Sequence, residues 1–364
     1  MTLFACIFLK DNLGLKSGQI GLLMVYLFQL FDLFQWCVVL STMVENLMTS
    51  IERIVEYTNI PSEPLKEGKI EPPINWPTSG EIKFENVSLS YDKNLPNVLK
   101  GISLNINSGE KIGIVGRTGA GKSSFFQAIF RMYEPKGKIF IDGVDITQLS
   151  LNNLRTKLTI IPQEPVLFSG TLRLNLDPFG KYSDQEIWSA IESVSLKNSV
   201  QSMNSGLDSL ITTGGTNLSV GQKQLICLAR AILKKTKILI IDEATANVDY
   251  NTDAIIQRTI RDQFKDCTVL TIAHRLATVV DSDRILCLSE GNIINFGVPK
   301  ELLSDQTSIL YELTKKLSPN EKKLIFDIAN GVKKVDLVQD HVPIENDFAI
   351  SDEDTIIFDQ TEQI

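Results

Sequence analysis

Lys111-Ile-Gly-Ile-Val115-Gly116-Arg117-Thr118-Gly119-Ala120-Gly121-Lys122-Ser123-Ser124 is the stretch on which the fold turns. Lys111 to Val115 has the apolar character of a buried strand, and Ser124 to Met132 has helical spacing. Between them, Gly116 to Ser123 fits G-x-x-x-x-G-K-[ST], a loop that holds phosphate. Glycines are needed because backbone N–H groups must turn inward and approach phosphate oxygens closely. The N-terminus of the following helix adds partial positive charge. Lys122 then reaches the β- and γ-phosphates, and the Ser123 hydroxyl binds Mg²⁺. A plain glycine turn before a helix is the alternative for the loop alone, and the strand–loop–helix context speaks against it.

A second segment supplies the carboxylates. Ile238-Leu239-Ile240-Ile241-Asp242-Glu243 is an apolar run ending in two acids, which predicts a central parallel strand. Asp242 emerges at its C-terminal end, where ligands sit in such sheets, with Mg²⁺ as its partner. Glu243 is placed to polarise an attacking water as general base. These parts together predict an α/β P-loop NTPase. No Asn-Lys-x-Asp that would read guanine occurs in the chain. The discriminating segment is Leu218-Ser219-Val220-Gly221-Gln222, followed by the apolar helical run KQLICLARAIL about twenty residues before the Asp242 strand.

With that segment the sequence resembles the ATP-binding cassette (ABC) ATPases, whose signature LSGGQ stands in the same place. The resemblance runs in family order from Gly80 to about Leu317, roughly two thirds of the chain. It implies that ATP is held by Tyr91, stacked on adenine, and by Gly116, Arg117, Thr118, Gly119, Ala120, Gly121, Lys122, Ser123 and Ser124. Gln163 in IPQEP matches the Q-loop glutamine, which senses Mg²⁺ together with Ser123 and Asp242 and couples to the membrane domain. Glu243, His274 in TIAHRL, Gln163 and Lys122 are the catalytic set that the resemblance implies, with Asp249 in the D-loop. Leu218, Ser219, Val220, Gly221 and Gln222 would serve the opposite ATP site, because cassettes of this family work as a sandwich of two. Taken singly, Tyr91 reads as a strand-end aromatic, Gln163 as a polar loop residue and His274 as a capped surface histidine.

GRTGAGKSS, IPQEPVLFSGTLRLNLDPF, LSVGQKQLICLARAIL and IDEATANVD are most similar to the second half of the multidrug-resistance-associated exporters of subfamily C, in particular the shorter organic-anion and cyclic-nucleotide exporters. The implied fold is an ABC cassette with a helical subdomain and an antiparallel β-subdomain, preceded by a transmembrane α-helix. The implied activity is ATP hydrolysis coupled to efflux of organic anions and xenobiotics. The implied partners are a first nucleotide-binding domain, the remaining transmembrane helices, membrane lipid and a small organic anion. Val220 stands where the signature usually has its first glycine, as is common in the second cassette of this subfamily. In the resembled subfamily the first cassette often lacks the catalytic glutamate, and an intact Glu243 here is consistent with a hydrolytic second cassette; it speaks against a nucleotide-gated regulator, the second reading.

Outward from the cassette, 364 residues allow two or three domains. Composition of 43% hydrophobic and 22% charged residues excludes a mostly disordered chain. Net charge is −8, which argues against a nucleic-acid partner. Five scattered cysteines suit neither a disulfide framework nor a zinc site. Ile20 to Leu40 is 21 mostly apolar residues, ~31 Å as a helix and enough to cross a bilayer. No basic stretch precedes it and no small-x-small site follows, so it does not read as a signal peptide. It also speaks against a soluble ABC ATPase, the third reading. Gln29, Asp32 and Trp36 share one face of that helix, facing either a substrate path or a neighbouring helix.

The expected organisation is therefore a partial transmembrane domain over 1–58, with the complete span at about 19–40 and the helix continuing into the cytosol. A Pro-rich linker over 59–79, the nucleotide-binding domain over 80–317 and an acidic, disordered tail over 318–364 follow. The tail carries eleven acids against four lysines, which leaves the rest of the chain near neutral. The reading is an integral protein of the plasma membrane with cassette and tail in the cytosol, and a C-terminal fragment of a longer transporter. Glu362-Gln363-Ile364 could engage a PDZ-type module.

Overall fold

In the computed structural model the described residues are 16–60, 62–63, 68–92, 94–203, 205–243, 248–272, 276–315 and 317–332. They fall into two units, one within Met1–Pro64 and one within Leu65–Ile364. The first holds helix α1 (Ser17–Thr58), 42 residues without an interior break. It is the one helix among the described residues long and apolar enough to cross a membrane. None of its residues is buried, and Phe28, Phe31, Phe34 and Trp36 are each about two-thirds exposed. Pro61, which disfavours helical geometry in the residue before it, follows its C-terminus.

The second unit begins with β1 (Ile82–Leu89) and β2 (Leu99–Ile106), then β3 (Lys111–Val115), α2 (Lys122–Ile129), β4 (Lys136–Ile141) and β5 (Val144–Asp145). Helix α3 (Leu151–Lys157) runs directly into β6 (Leu158–Ile161). A helical stretch follows: β7 (Gly170–Thr171), α4 (Leu172–Leu176), α5 (Asp184–Ser193), α6 (Lys197–Gln201), β8 (Leu210–Ile211) and α7 (Val220–Lys234). The chain then returns to the sheet through β9 (Ile238–Asp242), α8 (Tyr250–Gln263), β10 (Thr268–Ile272), α9 (Leu276–Val280), β11 (Arg284–Ser289) and β12 (Asn292–Gly297). It closes with α10 (Pro299–Ser304), α11 (Ile309–Thr314) and α12 (Pro319–Ala329).

The main sheet has the order β12-β11-β3-β10-β9-β6, parallel except for β12 at one edge. Its strands are continuous apolar runs because both faces are covered. Successive side chains point to opposite faces. Along β9, Ile238 and Ile240 therefore join a core with Phe84, Ile112, Ile114 and Phe125, while Leu239 and Ile241 join another with Ile191, Leu225, Leu228 and Ile256. The first core is roofed by the antiparallel sheet β2-β1-β4-β5, the second by α5, α7 and α8. Helix α2 stands against the first core, with Phe125 stacked on Phe84 at 4.7 Å. Both expected subdomains, antiparallel and helical, are thus present.

Two expected boundaries are corrected. Residues 319–329 are not tail but helix α12, which buries Ile325 and Ile328 in a third core with Val279, Ile285 and Leu310. Ser318 and Glu321 form a capping box that starts it: the Glu321 N–H donates to Ser318 Oγ at 3.3 Å, and the Ser318 N–H to Glu321 Oε2 at 3.0 Å. The acid count hid this helix, because Glu321 and Asp327 belong to a polar helix face rather than to a solvated tail. At the other end the linker is shorter than expected. Trp76 is 2% exposed, and its indole N–H donates to the Ile141 carbonyl at 2.8 Å. Asp142 then gathers residues 78–81, accepting from the N–H groups of Thr78 (2.7 Å), Ser79 (2.8 Å), Gly80 (2.9 Å) and Glu81 (2.8 Å), and from the Ser79 hydroxyl at 2.6 Å.

Burial of Asp142 works to raise its pKa, but the Ser79 hydroxyl and the N–H groups of Ser79, Gly80 and Glu81 outweigh it, and the carboxyl sits below the usual 3.8. A folded value below the unfolded one stabilises the fold above the unfolded pKa, and that contribution disappears as pH falls through the folded value. Asp142→Asn should therefore cost about 1 kcal/mol at neutral pH, discounted for partial exposure. The gap from the parent should close as pH drops below about 4, read as denaturant midpoints in detergent. Equal midpoints at neutral pH would remove Asp142 from this role.

Candidate functional site

The phosphate loop is built by close backbone approach. A Cβ at Gly116 would lie 2.5 Å from the Leu288 carbonyl oxygen, and Gly121 has φ +102°, so neither position accepts a side chain without strain. Helix α2 begins two residues earlier than its apolar spacing suggested, at Lys122. Its N-cap is Gly121, which supplies no side-chain acceptor. Helices α5, α7, α8, α11 and α12 are instead capped by Ser183, Ser219, Asp249, Ser308 and Ser318. The first-turn N–H groups of α2 thus face the loop without the acceptor that those five helices carry, which suits an external oxyanion. Lys122 Nζ bends back over the loop and donates to the carbonyls of Gly116 (3.0 Å) and Arg117 (3.4 Å). Arg117, Thr118, Gly119 and Ser123 are exposed on the loop, while Ala120 and Ser124 are buried beneath it. Tyr91 lies just past β1, with its hydroxyl 2.6 Å from Ser124 Oγ and its ring edge-on to Tyr133 at 4.8 Å, 39% exposed.

The carboxylates close the other side. Asp242 ends β9, and Glu243 turns out of the strand at φ +46° with its N–H donating to the Ile272 carbonyl at 2.8 Å. Gln163, two residues past β6, donates its side-chain N–H to Glu243 Oε2 at 3.1 Å. Burial raises the Asp242 pKa, the adjacent Glu243 raises it further, and Lys122 draws it back. Two adjacent carboxylates, one partly buried, opposed by one lysine, make a site short of positive charge. The oxygens of Ser123, Gln163 and Asp242 are the hard donors a Mg²⁺ ion takes, and with phosphate they fit it. His274, expected at the neighbouring strand end, lies outside the described residues.

The signature forms a second group. Ser219 caps α7 by accepting from the Gln222 N–H at 3.1 Å, and Gln222 Oε1 accepts from the Ser219 N–H at 3.0 Å. Leu218 is half-buried just ahead of this cap, and Val220 is 45% exposed in the first turn. Gly221 faces the start of α8: a Cβ there would lie 3.0 Å from the Thr252 methyl and 3.4 Å from Asp249 Oδ1. Asp249 caps α8 through the Thr252 N–H at 3.0 Å and hydroxyl at 2.8 Å. Two helix N-termini therefore stand side by side. Among the described residues no hydrogen bond joins this group directly to the phosphate loop.

Residues not singled out from sequence connect the two groups. Gln224 on α7 donates to the Pro162 carbonyl at 3.0 Å, one residue before Gln163. Arg230, further along α7, donates to the Val166 carbonyl at 2.7 Å and to Asn175 Oδ1 at 2.8 Å. Asn175 in turn holds the Phe168 backbone from both sides, at 2.9 Å each. The signature helix thus carries the Gln163 segment on both flanks. A lone arginine inside ICLARAIL was the available signal.

The family profile for ABC transporters matches residues 99–246. Across 318 residues, 87% of this chain, 49% are identical to ATP-binding cassette sub-family C member 4 of Homo sapiens. Over 295 residues, 50% are identical to sub-family C member 2 of Rattus norvegicus. The chain spans about a quarter of the length of the first relative and a fifth of the second, 24% and 19%. Among solved structures, that of a bacterial Atm1-family ABC exporter with ATP bound aligns with TM-score 0.67 at 29% identity, over 83% of this chain and 53% of the exporter chain.

Proposed function

This chain belongs to ABC transporter subfamily C, and from that premise we propose that it is the ATP-hydrolysing, second-cassette part of an exporter that moves organic anions across a membrane. The observation that carries the nucleotide reading is the uncapped N-terminus of α2 under the phosphate loop, with Lys122 on one side and Asp242, Glu243 and Gln163 on the other. In this reading the loop N–H groups and Lys122 bind the β- and γ-phosphates, and Tyr91 stacks on adenine. Ser123, Gln163 and Asp242 hold Mg²⁺, which when bound neutralises phosphate charge. Glu243 accepts the proton of the attacking water, and Gln163 holds that carboxylate in place until nucleotide arrives. Ser219 and Gly221 present the N-terminus of α7 to the γ-phosphate held by a partner cassette. His274 completes the catalytic set, and Asp249 belongs to the D-loop.

The exposed apolar side chains Val166, Phe168, Leu174 and Phe179 follow Gln163 closely in the chain and suit a membrane domain's cytosolic loops. Helix α1 is proposed as one of the membrane spans, with the plasma membrane as its site and the cassette in the cytosol. The organic-anion substrate is taken from the subfamily, since selectivity belongs to membrane helices beyond this chain.

Two measurements with a fluorescent ATP analogue test the nucleotide site. Tyr91→Ala should weaken binding by about tenfold, and Tyr91→Phe, which keeps the ring and loses only the Ser124 contact, should bind within about twofold of the parent. Equal affinity for the alanine variant would remove Tyr91 from the adenine site. Removing Mg²⁺ with EDTA should weaken binding in the parent far more than in Asp242→Ala, which has already lost the carboxylate. The same loss in both would remove Asp242 from the metal site.

A further inference from the structure

A cleft of about 860 Å³ opens at the edge of the main sheet opposite the nucleotide site. It lies at the N-terminal ends of β6 and β9, whereas Asp242 stands at the C-terminal end of β9, about 16 Å along the strand from Lys237. Its walls are strongly positive. Helix α3 contributes Arg155 and Lys157, the loop after α4 contributes Lys181, and α7 with its following turn contributes Arg230, Lys234, Lys235 and Lys237. Against these stands one lining acid, Asp177, whose carboxylate is engaged by backbone, accepting from the Tyr182 N–H at 2.7 Å. Lys235 pairs with Glu186 at 3.2 Å, but among the described residues no carboxylate pairs with Lys157, Lys181 or Lys237. Arg230 and Lys234 donate to backbone carbonyls and, in the case of Arg230, to the Asn175 amide, all uncharged oxygens. Their pKa values are drawn down by burial, the mark of positive charge without a counter-charge. The remaining lining is apolar and aromatic, including Trp76, Phe168, Leu174 and Phe179.

We propose that this basic, aromatic-lined cleft is a docking site for an acidic segment of the same chain, residues 344–359. That stretch, IENDFAISDEDTIIFD, holds six acids and no lysine or arginine. Its acids alternate with Ile344, Phe348, Ile350, Ile356, Ile357 and Phe358, so it matches the cleft in both charge and apolar character. Reach is ample. From Val332 to Asp352 the chain spans up to ~66 Å, while a domain of this size is ~45 Å across. A tethered segment meets its site at an effective concentration near millimolar, so a weak contact suffices. An occupied cleft covers Phe168, Leu174 and Phe179, the surface assigned above to the membrane domain, so docking competes with coupling. The cleft and the segment stand without that assignment, and their test reads no ATPase activity.

The test is zero-length carbodiimide cross-linking of the full chain in nanodiscs, with peptide mapping of lysine–carboxylate pairs. Cross-links from residues 345–359 to Lys157, Lys181 and Lys237 should exceed those to Lys100, Lys138 and Lys300 by about tenfold at low salt. They should fall steeply at about 0.5 M salt, where charges are screened within a few ångströms. The tail variant Asp352→Lys/Glu353→Lys/Asp354→Lys should abolish them. Cross-links spread evenly over the surface lysines, or unchanged by the tail variant, would overturn the proposal. So would protection of the three cleft lysines by phosphatidylserine vesicles with no tail cross-link, which would make the cleft a membrane-facing surface.

Discussion

Lys122→Ala should abolish measurable ATP binding at micromolar nucleotide while leaving the fold intact. In the nucleotide-free chain the Lys122 ammonium is satisfied only by two loop carbonyls, at 3.0 and 3.4 Å, and no carboxylate pairs with it among the described residues. Its removal therefore strands no buried partner and costs little stability. With nucleotide present the same group faces two phosphates through charge-assisted contacts, each worth about 1.5–3 kcal/mol. Losing both weakens binding by about 10²–10⁴-fold, at 1.4 kcal/mol per tenfold. Titration of a fluorescent ATP analogue, with circular dichroism as the folding control, reads both halves of this result. Unchanged affinity would remove the phosphate-loop assignment.

Glu243→Gln should retain ATP binding and slow turnover by about 10²-fold or more, on the order of 3 kcal/mol of barrier. The substitution keeps size and polarity, and Gln163 is a side-chain amide able to pair with an amide oxygen as it now pairs with Oε2 at 3.1 Å. What disappears is a proton acceptor at the end of β9. Single-turnover hydrolysis separates this from a binding defect: a lower chemical rate at unchanged affinity is the expected pattern. Hydrolysis at the parent rate would remove Glu243 from the base role.

The parts of this molecule that were readable from sequence are those whose causes are local. The loop before Lys122 needs its glycines, the buried β9 needs four apolar residues in a row, and Ser219 needs Gln222 three positions on; all these constraints act within one element. Trp76 and Asp142 were not readable, because the linker residues they fasten pair with a turn some 65 positions away in the chain. Helix α12 was misread for a different reason. Its local signals, Ser318 with Glu321 and Ile325 with Ile328, were present, but the acidic composition of the following residues outweighed them. The basic cleft was invisible because its cations are scattered from Arg155 to Lys237 and only the meeting of α3, α7 and the strand ends collects them. The flanking hold of α7 on the Gln163 segment likewise depends on Gln224 and Arg230 reaching carbonyls more than sixty residues away.

The central claim is that this chain contributes one complete set of hydrolytic residues and one signature to a two-cassette ATPase. The most direct measurement is ATP turnover by the full chain in nanodiscs, alone and mixed with a first cassette of subfamily C, with Glu243→Gln as control. Turnover that appears on mixing and vanishes in the control is the predicted result. Tight ATP binding with no turnover in any mixture would contradict the account and leave a nucleotide-gated regulator in its place.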